Sequence, residues 1–128
     1  MKKVVLLVED LPFDSELTLR ALEKYKGKFD ILVAKDGWDG LVLMKSQRFD
    51  IILLDLKMPR MDGFETMILM YAYQLQTDVP VVVLSNSDLD SDRSRAQTLG
   101  AVDYVHKSID LPRYMTALQE TIERHGVF

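Results

Sequence analysis

Ile51-Ile52-Leu53-Leu54-Asp55 sets four consecutive large apolar residues directly before an acid. A strand with one face in water alternates apolar and polar residues, whereas an unbroken apolar run marks a strand buried on both faces, as in a parallel sheet covered by helices. The same character recurs, in short segments rich in β-branched residues, at Val4–Val8, Ile31–Ala34, Val79–Leu84 and Val102–Val105. The sequence therefore predicts five strands, with helices covering them.

Between these runs, apolar residues return at helical spacing, as in Thr18, Ala21, Leu22 and Tyr25, and again in Leu111, Met115, Leu118 and Ile122. Asp14, Ser91 and Asp110 are read as N-caps of the first, fourth and fifth helices, and Gly100 as a C-cap ahead of the last strand. The pattern is strand then helix, five times over. Right-handed crossovers fold such a chain into a doubly wound α/β sandwich, with ligands expected beyond the carboxyl ends of the strands at the topological switch point.

A chain of 128 residues fits one domain, residues 1–128, and after the fifth helix no room is left for an output domain. With 48% hydrophobic and 28% charged residues the composition is that of an ordinary soluble protein. A net charge of −4 and the lack of any Lys/Arg run argue against nucleic-acid binding. The absence of cysteine excludes disulfides and thiolate metal sites and fits a reducing cytoplasm. Glu9 and Asp10 end the apolar run that follows Lys2-Lys3 too soon for an export signal, and no stretch approaches the roughly 20 apolar residues of a membrane span.

The residues that end the strands carry the chemistry. Glu9 and Asp10 follow the first, Asp55 the third, Ser85 the fourth and Lys107 the fifth. Three carboxylates at one edge repel one another unless a cation sits among them, and hard oxygen ligands without His or Cys suit Mg²⁺. A carboxylate beside such an ion can take a phosphoryl group, with metal and lysine neutralising its oxygens. Asp55 is the best placed nucleophile, Glu9 and Asp10 hold the ion, and Lys107 and Ser85 grip the phosphate. Taken singly, a turn acid, a loop hydroxyl and a solvated lysine are commonplace; the combination at four strand ends is not.

Through Val8-Glu9-Asp10, Leu54-Asp55-Leu56-Lys57-Met58-Pro59, Met61-Asp62-Gly63, Ser85 and Lys107, nearly the whole chain resembles the receiver domains of two-component response regulators. The resemblance implies a flavodoxin-like sheet in strand order 2-1-3-4-5. It implies that Asp55 is phosphorylated by a sensor histidine kinase or a histidine phosphotransfer protein. It also implies that Glu9, Asp10, Asp55 and the backbone carbonyl of Lys57 hold Mg²⁺, with Ser85 and Tyr104 forming the switch that signals to a downstream protein. Apart from accepting the phosphoryl group and losing it slowly, such a protein is not an enzyme. Asp62-Gly63 resembles the turn before the third helix, where glycine relieves strain. Glu9 to Asp14 and the following Glu16 to Leu22 look like the small stand-alone regulators, some of which pair with phytochrome-type kinases.

Three features depart from the pattern. Lys107-Ser108 replaces the family's Lys-Pro with its cis bond, and because a cis bond before a non-proline residue costs about 2.5–4 kcal/mol, a trans bond or an adjusted loop is expected. Asn86 follows Ser85 where the family generally has a smaller residue, Lys57 and Ser87 flank the path of attacking water, and Asn86 and Lys57 are expected to lengthen the life of the phosphorylated form. The segment Met67 to Tyr73 is apolar on every side, so part of it should be exposed and, with Trp38 and Val42, could serve a partner or a homodimer. Val127-Phe128 could dock on a neighbour or fray.

Three rivals remain. A phosphohydrolase of the haloacid-dehalogenase kind would carry its nucleophile after the first strand and have a cap domain. An FMN binder would not place acids where the flavin phosphate sits. A pseudo-receiver, folded and partner-binding but never phosphorylated, is kept open by Ser108 and Asn86 and opposed by the intact Asp55, Glu9, Asp10 and Lys107.

Overall fold

The structure, a computed structural model, describes residues 2–125. Five strands, β1 (Lys3–Val8), β2 (Phe29–Ala34), β3 (Ile51–Asp55), β4 (Val81–Ser85) and β5 (Asp103–His106), alternate with α1 (Pro12–Leu22), α2 (Gly37–Ser46), α3 (Gly63–Ala72), α4 (Asp90–Thr98) and α5 (Leu111–Arg124). All pairings are parallel and the order is β2-β1-β3-β4-β5, as expected. β4 starts later than the apolar run that begins at Val79, directly after Pro80, which has no N–H for the ladder.

Alternate side chains of each central strand feed two separate cores, which is why the runs are unbroken. Leu6, Val8, Ile52, Leu54, Val81 and Val83 pack with Leu41, Met44, Phe64, Met67, Met70 and Ala96 of α2, α3 and α4. Val5, Leu7, Ile51, Leu53, Val82 and Leu84 pack with Ala21, Leu22, Tyr114, Leu118 and Ile122 of α1 and α5. A buried hydrogen bond of 2.8 Å between the Thr18 and Tyr114 hydroxyls joins α1 to α5.

Two of the three expected N-caps are corrected. Asp110 does cap α5, accepting from the Arg113 N–H at 3.2 Å. Asp14 instead lies within the first turn of α1, because Pro12, with its preset φ and no N–H to satisfy, starts the helix behind Leu11. Ser91 lies inside α4, which starts at Asp90 after Leu89. The Ser87 hydroxyl serves that end, accepting from the Leu89 N–H at 3.3 Å and donating to Asp92 at 2.6 Å. Gly100 terminates α4 as read: at φ +110° its N–H reaches the Gln97 carbonyl and that of Ala101 the Ala96 carbonyl.

α3 exposes part of its apolar surface, as anticipated: Phe64, Met67 and Met70 are buried while Ile68, Tyr71 and the following Tyr73 face solvent, as do Trp38 and Val42 of α2. No peptide bond among the described residues is cis, so Lys107-Ser108 is trans. Val127 and Phe128 lie outside the described residues. No described helix is long and apolar enough to cross a membrane.

Candidate functional site

Parallel pairing brings all five strand ends to one edge of the sheet. The chain leaves β1 for β2 on one side and returns to β3 on the other, so the switch point lies between the ends of β1 and β3. Glu9-Asp10 and Asp55 are the residues found there. Glu9 and Asp55 are buried and Asp10 half-buried, and each offers a carboxylate oxygen within 4.8 Å of the others.

Lys107 enters from the end of β5, its side chain 9% exposed, with Nζ 3.1 Å from Glu9 Oε2, 3.3 Å from Asp55 Oδ1 and 3.1 Å from Asp14 Oδ2. Its backbone N–H donates to the Ser85 carbonyl at 2.7 Å, which ties the ends of β4 and β5 together. The lysine does not use up the acids. Among the described residues, Glu9 Oε1 and Asp10 Oδ1 are buried without a hydrogen-bonding partner. Buried carboxylate oxygens left unsatisfied are costly, and two of them beside the Asp55 carboxylate are what a hard divalent cation needs. The residues present fit Mg²⁺.

The titration of the acids shows the same imbalance. Burial, reinforced by the adjoining Asp55 carboxyl and opposed by Lys107, pushes Glu9 up to about 8. Burial also raises Asp55, although Glu9, Lys107 and the Lys57 backbone N–H work against it. Burial lowers Lys107, but the charges of Asp55 and Glu9 and its bonds to Glu9 and Asp14 more than offset this, leaving it above the ordinary lysine range.

The β3–α3 loop owes its path to two residues. Gly63 donates its N–H to the Leu56 carbonyl at 2.9 Å, and a Cβ there would lie 2.5 Å from the Asp55 carbonyl oxygen. Its requirement is thus close approach to the end of β3; the left-handed backbone falls instead on Arg60, at φ 66°. Asp62 forms a capping box with Glu65 at the start of α3. Lys57 is exposed, and its backbone N–H holds Asp55 down against burial.

Ser85 is fully buried at the end of β4, its hydroxyl accepting from the Ser87 N–H at 3.0 Å. Tyr104 is half-buried, donates its hydroxyl to the Ser87 carbonyl at 2.8 Å and carries Arg93 over its ring at 4.6 Å. Ser85 and Tyr104 therefore hold the same residue of this short loop, one at the Ser87 N–H and the other at its carbonyl. Asn86 in that loop is exposed, and its carbonyl meets His106 Nε2 at 3.1 Å. Beside Lys107 a cavity of about 360 Å³ opens between Phe13, Leu17, Asn86, Ile109 and Leu111.

Every side chain read from the strand ends thus lies at this edge, and Glu9, Asp10, Asp55 and Lys107 form one cluster. Asp14, read only as a cap, is the member that was missed. Nothing in the spacing marked it, because its contact with Lys107 depends on α1 starting at Pro12.

The family profile of the response regulator receiver domain matches residues 5–119. The curated protein Probable C4-dicarboxylate response regulator DctR of Priestia megaterium is 34% identical over 116 residues, 91% of this chain and 50% of that protein, so the chain spans half of DctR's length. Among solved structures, the phosphorylated cyanobacterial phytochrome response regulator RcpA is 28% identical at a TM-score of 0.86, covering 96% of this chain and 93% of its own. The Mn²⁺-bound form of response regulator Rcp1 is 29% identical at a TM-score of 0.82, covering 94% and 92%. The chain belongs to the response regulator receiver domain family.

Proposed function

We propose that Asp55 accepts a phosphoryl group from a sensor histidine kinase or a histidine phosphotransfer protein, with Mg²⁺, and that the phosphorylated form signals to a downstream protein. The observation that carries this is the notch itself, where the Asp55 carboxylate lies 3.3 Å from the Lys107 ammonium beside two unpartnered buried oxygens of Glu9 and Asp10. An Asp55 oxygen attacks phosphorus; the P–O bond forms as the P–N bond of the donor breaks, and the electron pair leaves on the imidazole nitrogen. When bound by Glu9, Asp10, Asp55 and the Lys57 carbonyl, Mg²⁺ supplies positive charge against the phosphoryl oxygens. Lys107 neutralises the remaining side, and the cavity beside it is where the donor approaches.

Ser85 turns its hydroxyl from the Ser87 N–H to the phosphoryl group, and residues 86–87 follow. Tyr104, bonded to the Ser87 carbonyl, then carries the change to the β5 surface. The Ser87 hydroxyl donates to Asp92 at 2.6 Å, so the loop stays tied to α4 as it shifts. Asn86 and Lys57 slow hydrolysis, and apart from this self-catalysed acceptance and slow loss the protein is not an enzyme. Asn86→Ala should shorten the lifetime of the phosphorylated form, and an unchanged rate removes Asn86 from the account. The protein works in the cytoplasm alongside a kinase, one of the phytochrome type on the likeness to RcpA.

Incubation with acetyl phosphate or phosphoramidate and Mg²⁺, followed by intact mass measurement, tests the central claim. The expected result is one phosphate-sized increment, absent without the metal and absent in Asp55→Asn. No increment in the wild-type chain would leave the pseudo-receiver. The exposed Trp38, Val42, Ile68, Tyr71 and Tyr73 support a homodimer or partner face; light scattering across concentration tests self-association, and a constant monomer mass discards it.

A further inference from the structure

A lysine ammonium has three N–H donors and accepts nothing, and here three different carboxylates surround it. Two of them, Glu9 and Asp55, belong to the notch and change partners if a cation and a phosphoryl group enter. The third, Asp14, does not. It rises from the first turn of α1, its side chain 19% exposed at the rim, and stands apart from the three acids whose oxygens converge. It caps no helix, and its hydrogen-bonding partner among the described residues is Lys107 Nζ at 3.1 Å.

We infer that Asp14 is a positioning residue for Lys107, a competing acceptor that draws the ammonium toward α1 and that a phosphoryl group on Asp55 must outbid. The inference rests on Asp55 being the acceptor. Charge gives the direction: with Lys107, the carboxylates of Glu9, Asp10 and Asp55 are balanced by one divalent cation, and Asp14 is one negative charge in excess, facing an incoming dianion. Glu9 and Asp55 release Lys107 when they turn to the metal and the phosphoryl group, but Asp14 keeps one donor committed. Asparagine has the same shape and a neutral acceptor, and hydrogen bonds to a charged group are about twice as strong as neutral ones. Asp14→Asn therefore frees Lys107.

Trifluoroberyllate, a phosphoryl mimic, reads the competition directly in the full chain with Mg²⁺ by fluorine NMR. Asp14→Asn should bind it about fivefold more tightly than the wild type, from the difference between a charged and a neutral acceptor. Asp14→Glu should return the affinity to the wild-type value, which a merely structural contact of α1 would not do. Mg²⁺ binding measured alone by calorimetry should change far less. Equal trifluoroberyllate affinity in wild type and Asp14→Asn overturns the inference and leaves Asp55 as acceptor. Loss of Mg²⁺ affinity by about tenfold or more in Asp14→Asn overturns it too, by making Asp14 a support of the metal. A wild-type chain that binds neither Mg²⁺ nor trifluoroberyllate removes the acceptor reading and this inference together.

Discussion

At the scale of single residues, two glycines are required for different reasons. At Gly63 a Cβ would lie 2.5 Å from the Asp55 carbonyl oxygen and 2.9 Å from the Leu56 Cα, both backbone atoms that cannot swing aside. Gly63→Ala should therefore cost about 1–3 kcal/mol by overpacking and lower phosphoryl acceptance, because the atom displaced belongs to the nucleophile's own residue. At Gly100 nothing lies within 4 Å of an added Cβ, but φ is +110°. Gly100→Ala should cost about 1 kcal/mol through backbone strain and leave acceptance unchanged. Urea unfolding with a phosphorylation assay separates the two; equal losses of acceptance would mean that Gly63 acts through global stability alone. The acids, Ser85 and Lys107 were legible in the sequence because each ends a strand, and a parallel sheet collects its strand ends. Asp14 was not, because its role depends on where α1 starts, and a proline two residues earlier decided that.

At the scale of elements, the central strands β1, β3 and β4 could be read because burial on both faces keeps their interiors apolar. The edge strands β2 and β5, part exposed and carrying Asp30 and Asp103, extend past the apolar runs at Ile31 and Val105, and helix ends could not be read as well. An acid or serine before an apolar run looks like a cap whether the helix starts there or one turn earlier. Asp62 satisfies the Glu65 N–H at 2.8 Å, and Glu65 returns to the Asp62 N–H at 3.1 Å. Asp62→Ala should accordingly cost about 1–2 kcal/mol. Ser91, inside α4, caps nothing, and Ser91→Ala should stay within about 0.5 kcal/mol of the wild type. Thermal or urea unfolding of both variants decides: a loss at Ser91 equal to that at Asp62 would place the start of α4 later than described. The exposed side of α3 was legible as well, since a helix apolar all round against one sheet must leave some of that surface outside.

At the scale of the whole molecule, the notch links stability to protons and metal together. Glu9 is raised from an ordinary 4.5 to about 8, by burial first, and Asp55 is raised as well. A carboxyl with a raised folded value binds a proton in the folded chain while the unfolded chain has released it, so its stabilisation is present at low pH and is lost as pH rises through about 8. With EDTA present, the melting temperature should fall between about pH 6 and pH 8.5. The lowered values of exposed Asp78 and Asp88, held down by Arg48 and Arg93, act below the ordinary carboxylate range and leave this window clear. Mg²⁺ replaces the proton on these acids and binds the folded chain alone, so its stabilisation grows with its affinity. The increment on adding Mg²⁺ should thus be larger at about pH 8 than at about pH 6, where proton and metal compete for Glu9. Taking the difference between Mg²⁺ and EDTA at each pH cancels titrations elsewhere in the chain. An increment independent of pH would mean that the cation enters without displacing a proton, and Glu9 would then have to be ionised in the folded chain before any metal arrives.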